Sequence, residues 1–178
     1  VVVKRSIWSL RDKNTYFGSL FVHVGVLFQS IFDGKLLIIA DPLVSIRYGN
    51  AMWTVRSFEV SMIIWPGLIW GFDSFSSLSK KSVVSKKPWE SMLRLMFYRA
   101  RGSYSLGEYE KFLKGRLPYV KQMAAYLIAI SPGKFLNFSF FVFLCIFKAW
   151  YPNAPLIVVD LKKSIYYFGG KLFLRSKQ

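Results

Sequence analysis

The sequence predicts an α+β chain: an N-terminal helix with short strands, a Ser- and Lys-rich connection, a second domain on a small, mainly antiparallel sheet, and a C-terminal extension. Three observations predict it. Apolar residues recur at helical spacing between Tyr16 and Phe32. Further on they gather in short runs closed by Pro, Gly or charge, the pattern of buried strands. Between Phe72 and Lys87 apolar periodicity gives way to Ser and Lys, which marks a linker. The boundaries that follow are 1–79 for the first domain, 80–150 for the second and 151–178 for the extension.

Taken in order, Phe17, Leu20, Phe21, Val24, Leu27, Phe28 and Ile31 form one broad helical face, and Asp33-Gly34 ends it. Leu36 to Ala40 is a short strand candidate, broken by Asp41-Pro42 before a second one from Val44 to Tyr48. After Pro88, the apolar runs Met92 to Tyr98, Met123 to Ile130 and Phe135 to Phe147 are separated by the basic, glycine-containing segment around Arg99 to Pro118. They read as a sheet with charged connections. Beyond Trp150 the chain reads as a strand, a turn and a basic tail.

Charge narrows the function more than length does. The 25 Lys and Arg stand against 9 Asp and Glu, a formal +16, and a compact chain carrying that excess gains from a polyanion beside it. Nucleic acid comes first and an anionic membrane second. With 53 % hydrophobic residues the membrane reading has to be tested on segment length. A spanning helix needs roughly 20 mostly apolar residues. Asn14 to Phe32 is uncharged but diluted by His23, Gln29, Gly18 and Gly25; Val60 to Phe72 is short and carries Pro66; Phe135 to Phe147 is short and closed by Lys134 and Lys148. The cations run along the whole chain without one-sided loop bias. A membrane is therefore not the expected partner.

Catalytic sets are missing. The single histidine, His23, lies in the apolar helix pattern, and the single cysteine, Cys145, lies inside VFLCIFK as a small core hydrophobe. Neither metal nor cofactor is expected. Glu108 and Glu110 are close enough in sequence to act as paired carboxylates, but Arg101, Lys111, Lys114 and Arg116 beside them point to ordinary ion pairing. No phosphate-binding glycine loop occurs. The chain reads as a non-enzyme.

Three ordered blocks carry a resemblance. LLIIADPLVSIRY, from Leu36 to Tyr48, contains Ser45, Ile46 and Arg47 after a proline turn. WPGLIWGFDS, Trp65 to Ser74, contains Pro66, Gly67 and Gly71. GRLP at Gly115 to Pro118 is followed by VFLCIFK at Val142 to Lys148, and EKFLKG from Glu110 to Gly115 stands just upstream. In this order they resemble the third of the universal small-subunit ribosomal proteins, a KH-domain family. The blocks with their connections span about two-thirds of the chain. Ser74 stands where the family has a second loop glycine, Phe72 and Asp73 replace its basic loop residues, and the segment from Ser74 to Met92 is much shorter than the family's.

The resemblance implies a degenerate KH-like N-terminal domain, with Gly71, Phe72, Asp73 and Ser74 as the loop that approaches a nucleic-acid backbone. It implies a place in the head of a small ribosomal subunit near the messenger entry channel. The implied partners are small-subunit rRNA, messenger RNA and neighbouring ribosomal proteins. Aromatic content and divergence favour a mitochondrial ribosome in the matrix. Candidate RNA contacts, chosen for clustering and nearness to the matched turns, are Arg47, Arg56, Arg94, Arg99, Arg101, Lys111, Lys114, Arg116 and Lys121. Tyr98, Tyr104 and Tyr109 interleave with them as stacking or core residues. The rival from another class is a small basic membrane subunit of an inner-membrane respiratory complex.

Overall fold

A computed structural model of the chain describes residues 2–31, 37, 39, 41, 55–147 and 154–167. Every regular element among them is helical. The fold divides into two compact units, Val1–Tyr48 with Val60–Pro88, and Gly49–Glu59 with Trp89–Gln178.

In the first unit, α1 (Arg5–Leu10) is followed by a 3-10 turn, Asn14–Tyr16, and by α2 (Val22–Phe28). The helix expected over Tyr16 to Phe32 is shorter than its apolar pattern because Gly18 takes a left-handed backbone, φ 83°, which interrupts helical geometry. The end of α2 is closed by a distant side chain: the Arg11 guanidinium donates to the carbonyls of Leu27 at 2.7 Å and Val26 at 3.2 Å. A cation there satisfies orphan carbonyls and meets the negative end of the helix dipole. Gly25 lets the Tyr16 ring lie directly on α2, where any Cβ would collide with it.

The helical run α3 (Ser57–Trp70) passes from the second unit into the first at Val60. It widens to π geometry over Val60–Ile64, and Pro66, which has no N–H to donate, follows at once. Then α4 (Ser77–Val83) begins at Ser76, whose hydroxyl accepts from the Ser79 N–H at 3.2 Å. Trp70 fixes the return of the chain: its indole N–H donates to the Val84 carbonyl at 3.1 Å. Val24, Phe28, Trp65, Ile69, Phe72 and Phe75 line an apolar cleft of about 410 Å³ in this unit.

In the second unit, α5 (Met92–Arg101) is bracketed by Ser91, whose hydroxyl accepts from the Arg94 N–H, and Gly102, φ 85°. Ser103 N–H donates to Tyr98 O and Gly102 N–H to Arg99 O, the paired bonds of a Schellman ending. A short turn, Leu106–Glu108, runs into a π turn, Tyr109–Leu113, here together α6. It is followed by α7 (Tyr119–Ile130), α8 (Gly133–Phe147) and α9 (Ala154–Lys162). Ala100, Leu136, Leu144, Ala154 and Leu161 form the core where α5, α8 and α9 meet. Asn137, fully buried, donates from one amide to Ala100 O at 3.1 Å and Leu161 O at 3.0 Å, pinning the three helices together. A second cluster gathers on Phe58, whose ring lies 4.7 Å from Tyr104 and 5.7 Å from Tyr98.

The expected α+β fold, with a KH-like first domain and an antiparallel sheet in the second, is overturned: the described residues are all-α and contain no strand. Met92 to Tyr98 lies in α5, Met123 to Ile130 in α7, and Val142–Phe147, the expected final strand, is the end of α8. The physical reason is that a continuous apolar run has the same signature in a buried strand and in a helix apolar on both sides. Likewise α4 occupies the expected Ser/Lys linker and α9 the expected strand after Trp150. The candidate strand at 44–48 and most of 36–40 lie outside the described residues.

Candidate nucleic-acid interface

Helices α5 and α7 lie side by side with their N-terminal ends together. Lys121, in the first turn of α7, reaches Glu90 just ahead of α5 at 2.8 Å, while Arg99, late in α5, donates to the Ser131 carbonyl at the end of α7 at 2.9 Å. The turn that launches α7 contains Lys114, Gly115 and Arg116. Gly115 adopts φ 77°, and its N–H donates to the Gln122 side chain at 3.1 Å, which holds the turn against the helix. Arg94 sits in the first turn of α5. Arg94, Lys114 and Arg116 thus share one end of the unit, where two helix N-termini add partial positive charge. All three are exposed. Their side chains meet no carboxylate among the described residues.

The other candidate cations among the described residues are engaged internally. Arg56 meets Glu59 at 2.8 Å and Lys111 meets the same carboxylate at 3.5 Å. The hydrogen bond from Arg56, with Lys111 adding to it, holds Glu59 below the usual carboxylate range against partial burial. Arg101 pairs with Asp160 at 3.4 Å and Lys121 with Glu90 at 2.8 Å. Arg99 is a structural clamp: besides Ser131 O it donates to the Tyr104 carbonyl and to the Tyr166 hydroxyl at 2.9 Å, with its guanidinium 5.2 Å from the Tyr166 ring centre. Gly133, at the start of α8, leaves the space that this ring fills.

Of the tyrosines read as interleaved, Tyr98, Tyr104 and Tyr109 are buried. Tyr104 donates its hydroxyl to Ala125 O at 3.0 Å, and burial pushes its phenol well above the ordinary range. Tyr119, beside the basic turn and exposed, is the aromatic open there for stacking. Arg47 lies outside the described residues.

Gly71, Phe72, Asp73 and Ser74 connect α3 to α4. Phe72 is buried, Asp73 is exposed, and the Ser74 hydroxyl faces the Gln29 carbonyl at 3.4 Å. No basic side chain belongs to this loop. Sequence reasoning missed Lys80 and Lys81 on α4 and Lys86 after it, in a stretch without an acid from Ser74 to Trp89. Lys86 lies 5.5 Å from the Trp70 ring centre, and Lys80 donates to the Trp70 carbonyl at 3.4 Å. The doubled pairs in SKKSVVSKKP are the signal that could have found them, and they share their composition with a linker.

His23 is exposed on α2, and Cys145 is exposed on α8 rather than packed in a core. Glu108 accepts from the Ser105 hydroxyl at 2.5 Å, whereas Glu110 is exposed. Comparison of the chain with protein families, with curated proteins and with solved structures found no match.

Proposed function

We propose that the chain is a structural, RNA-bound constituent of the small subunit of a mitochondrial ribosome, contacting rRNA in the head near the messenger entry channel. The observation that carries the reading is that Arg94, Lys114 and Arg116, exposed and paired with no carboxylate among the described residues, stand beside the paired N-termini of α5 and α7. Phosphate oxygens are the chemistry that three exposed cations and two helix N-termini attract, with little dependence on base sequence. The formal charge of +16 extends the same preference over the chain. The assignment to a ribosome rests on the ordered residue blocks, not on a KH domain or a sheet. Rigidity against the RNA comes instead from buried Asn137 and half-buried Arg99, which lock the helices of the second unit.

The test is ultraviolet crosslinking in intact mitochondria, with purification of the chain and sequencing of the attached RNA. Small-subunit rRNA should dominate. Recovery of no RNA, or of RNA without rRNA enrichment, contradicts the reading.

A second reading, a small basic subunit of an inner-membrane complex, is favoured by one observation. The helices α7 and α8 together have the length and apolar composition of a span, though they meet at a bend of 98°. No single helix among the described residues is long and apolar enough to cross a membrane. Alkaline carbonate extraction separates the two: a spanning subunit stays in the pellet and an RNA-bound constituent is released.

A further inference from the structure

The basic turn ahead of α7 leads into an aromatic ring that stacks on no other ring among the described residues. Leu117 is buried and anchors the turn, the Gly115 N–H is held by Gln122, and Pro118 caps the helix whose first residue is Tyr119. There Tyr119 is 78 % exposed. It makes neither a ring contact nor a hydrogen bond among the described residues. The neighbouring aromatics are engaged instead. Phe112 lies 6.3 Å from Phe58 and 4.7 Å from the Lys111 ammonium, and Tyr126, two turns further along α7, meets Tyr109 at 5.6 Å. Tyr119 therefore offers a ring face three residues from Arg116 and five from Lys114, both exposed.

Two kinds of chemistry meet there. Cations take phosphate oxygens, whatever the sequence or pairing of the strand that carries them. An exposed ring takes the flat face of a base, and every base has one. A duplex satisfies only the first, because its bases are already stacked on one another and their faces are closed to a side chain. An unpaired strand satisfies both at once. Tyrosine also holds its ring through two rotatable bonds, so that ordering it against a base costs little. We infer that this end of the second unit takes an unpaired stretch of RNA in preference to duplex, one base stacking on Tyr119 while Lys114 and Arg116 hold adjoining phosphates. The inference rests on the proposed RNA-bound role and adds to it the class of RNA recognised.

The experiment is fluorescence anisotropy of a labelled, unstructured RNA strand and of the duplex of the same sequence, each titrated with the full chain at one salt concentration. Wild type should bind the strand more tightly. Tyr119→Leu should weaken strand binding roughly tenfold and leave duplex binding nearly unchanged, since a stacked base is lost and no phosphate contact is. Tyr119→Phe restores a ring and should recover the affinity that Tyr119→Leu loses, with the same helical circular dichroism in both variants. A duplex bound as tightly as the strand, strand binding that Tyr119→Leu does not weaken, or both RNAs weakened alike would each overturn the inference. Joint replacement of Arg94, Lys114 and Arg116 by Gln separates it from the proposed function. Strand binding that falls there but not in Tyr119→Leu removes the stacking alone; strand binding that falls in neither removes the RNA-binding end as well.

Discussion

Replacing Arg94, Lys114 and Arg116 together by Gln should change how RNA binding depends on salt. Each phosphate neutralised by a cation releases condensed counterions, and the slope of log K against log salt falls by about 0.7 to 0.9 for every phosphate that is no longer neutralised. Removing three cations then takes about 2 to 3 from the slope. The structure supplies the contrast that makes this specific. Arg99 is spent on the Ser131 and Tyr104 carbonyls and on Tyr166, so Arg99→Gln should leave the slope nearly unchanged. It should instead destabilise the fold by about 2 kcal/mol, the scale of hydrogen bonds made by a charged group. Filter binding to a fragment of small-subunit rRNA over a salt series measures the first effect, and denaturant unfolding followed by tryptophan fluorescence the second. An unchanged slope in the triple variant, or a slope in Arg99→Gln reduced as far as in the triple variant, would refute the division of cations into interface and scaffold.

Further outcomes follow from the buried and half-buried groups. Tyr104→Phe removes one buried hydrogen bond and should cost about 1 kcal/mol in thermal or denaturant unfolding. The Tyr104 phenol is raised in the folded state, so its contribution is complete below the ordinary value of 10.0 and is lost as pH climbs above it. Wild type should therefore lose stability in alkali more steeply than Tyr104→Phe. Glu59 is depressed by Arg56 and Lys111, so its contribution is present above the ordinary value of 4.5 and is lost as pH falls through the lower folded value; acid titration of Glu59→Gln should be flatter in that window. Gly133→Ala drives a methyl into the Tyr166 ring and should cost about 1 to 3 kcal/mol, but less in a Tyr166→Ala background, which a double-mutant cycle measures.

Little of the helical fold was read from the sequence, although local signals for it are present: the segments of α5 and α4 were taken for a strand and a linker. Ser91 and Gly102 bracket α5 as an N-cap and a left-handed C-terminal glycine, and Ser76 opens α4. The spacing of Gly133, Leu136, Asn137 and Leu144 is helical, yet the Phe-rich residues between them are apolar on the other side too, which erased the period and let the run read as a strand. Three cations of the interface were within the nine candidates, but nothing local distinguishes Arg94 from Arg99 or Arg101. Their fates depend on Ser131, Asp160 and Tyr166, which approach only through helix packing. The lysines of α4 were hidden for the opposite reason, because a short capped helix and a polar linker share the same composition.

On the proposed function, the chain resides in a small ribosomal subunit by binding its RNA. Sedimentation of a detergent-solubilised mitochondrial lysate on a sucrose gradient, with and without RNase, tests it most directly, with the chain followed by mass spectrometry. Co-migration with the small ribosomal subunit that RNase abolishes is the expected result; co-migration with a respiratory complex, indifferent to RNase, would rule the proposed function out.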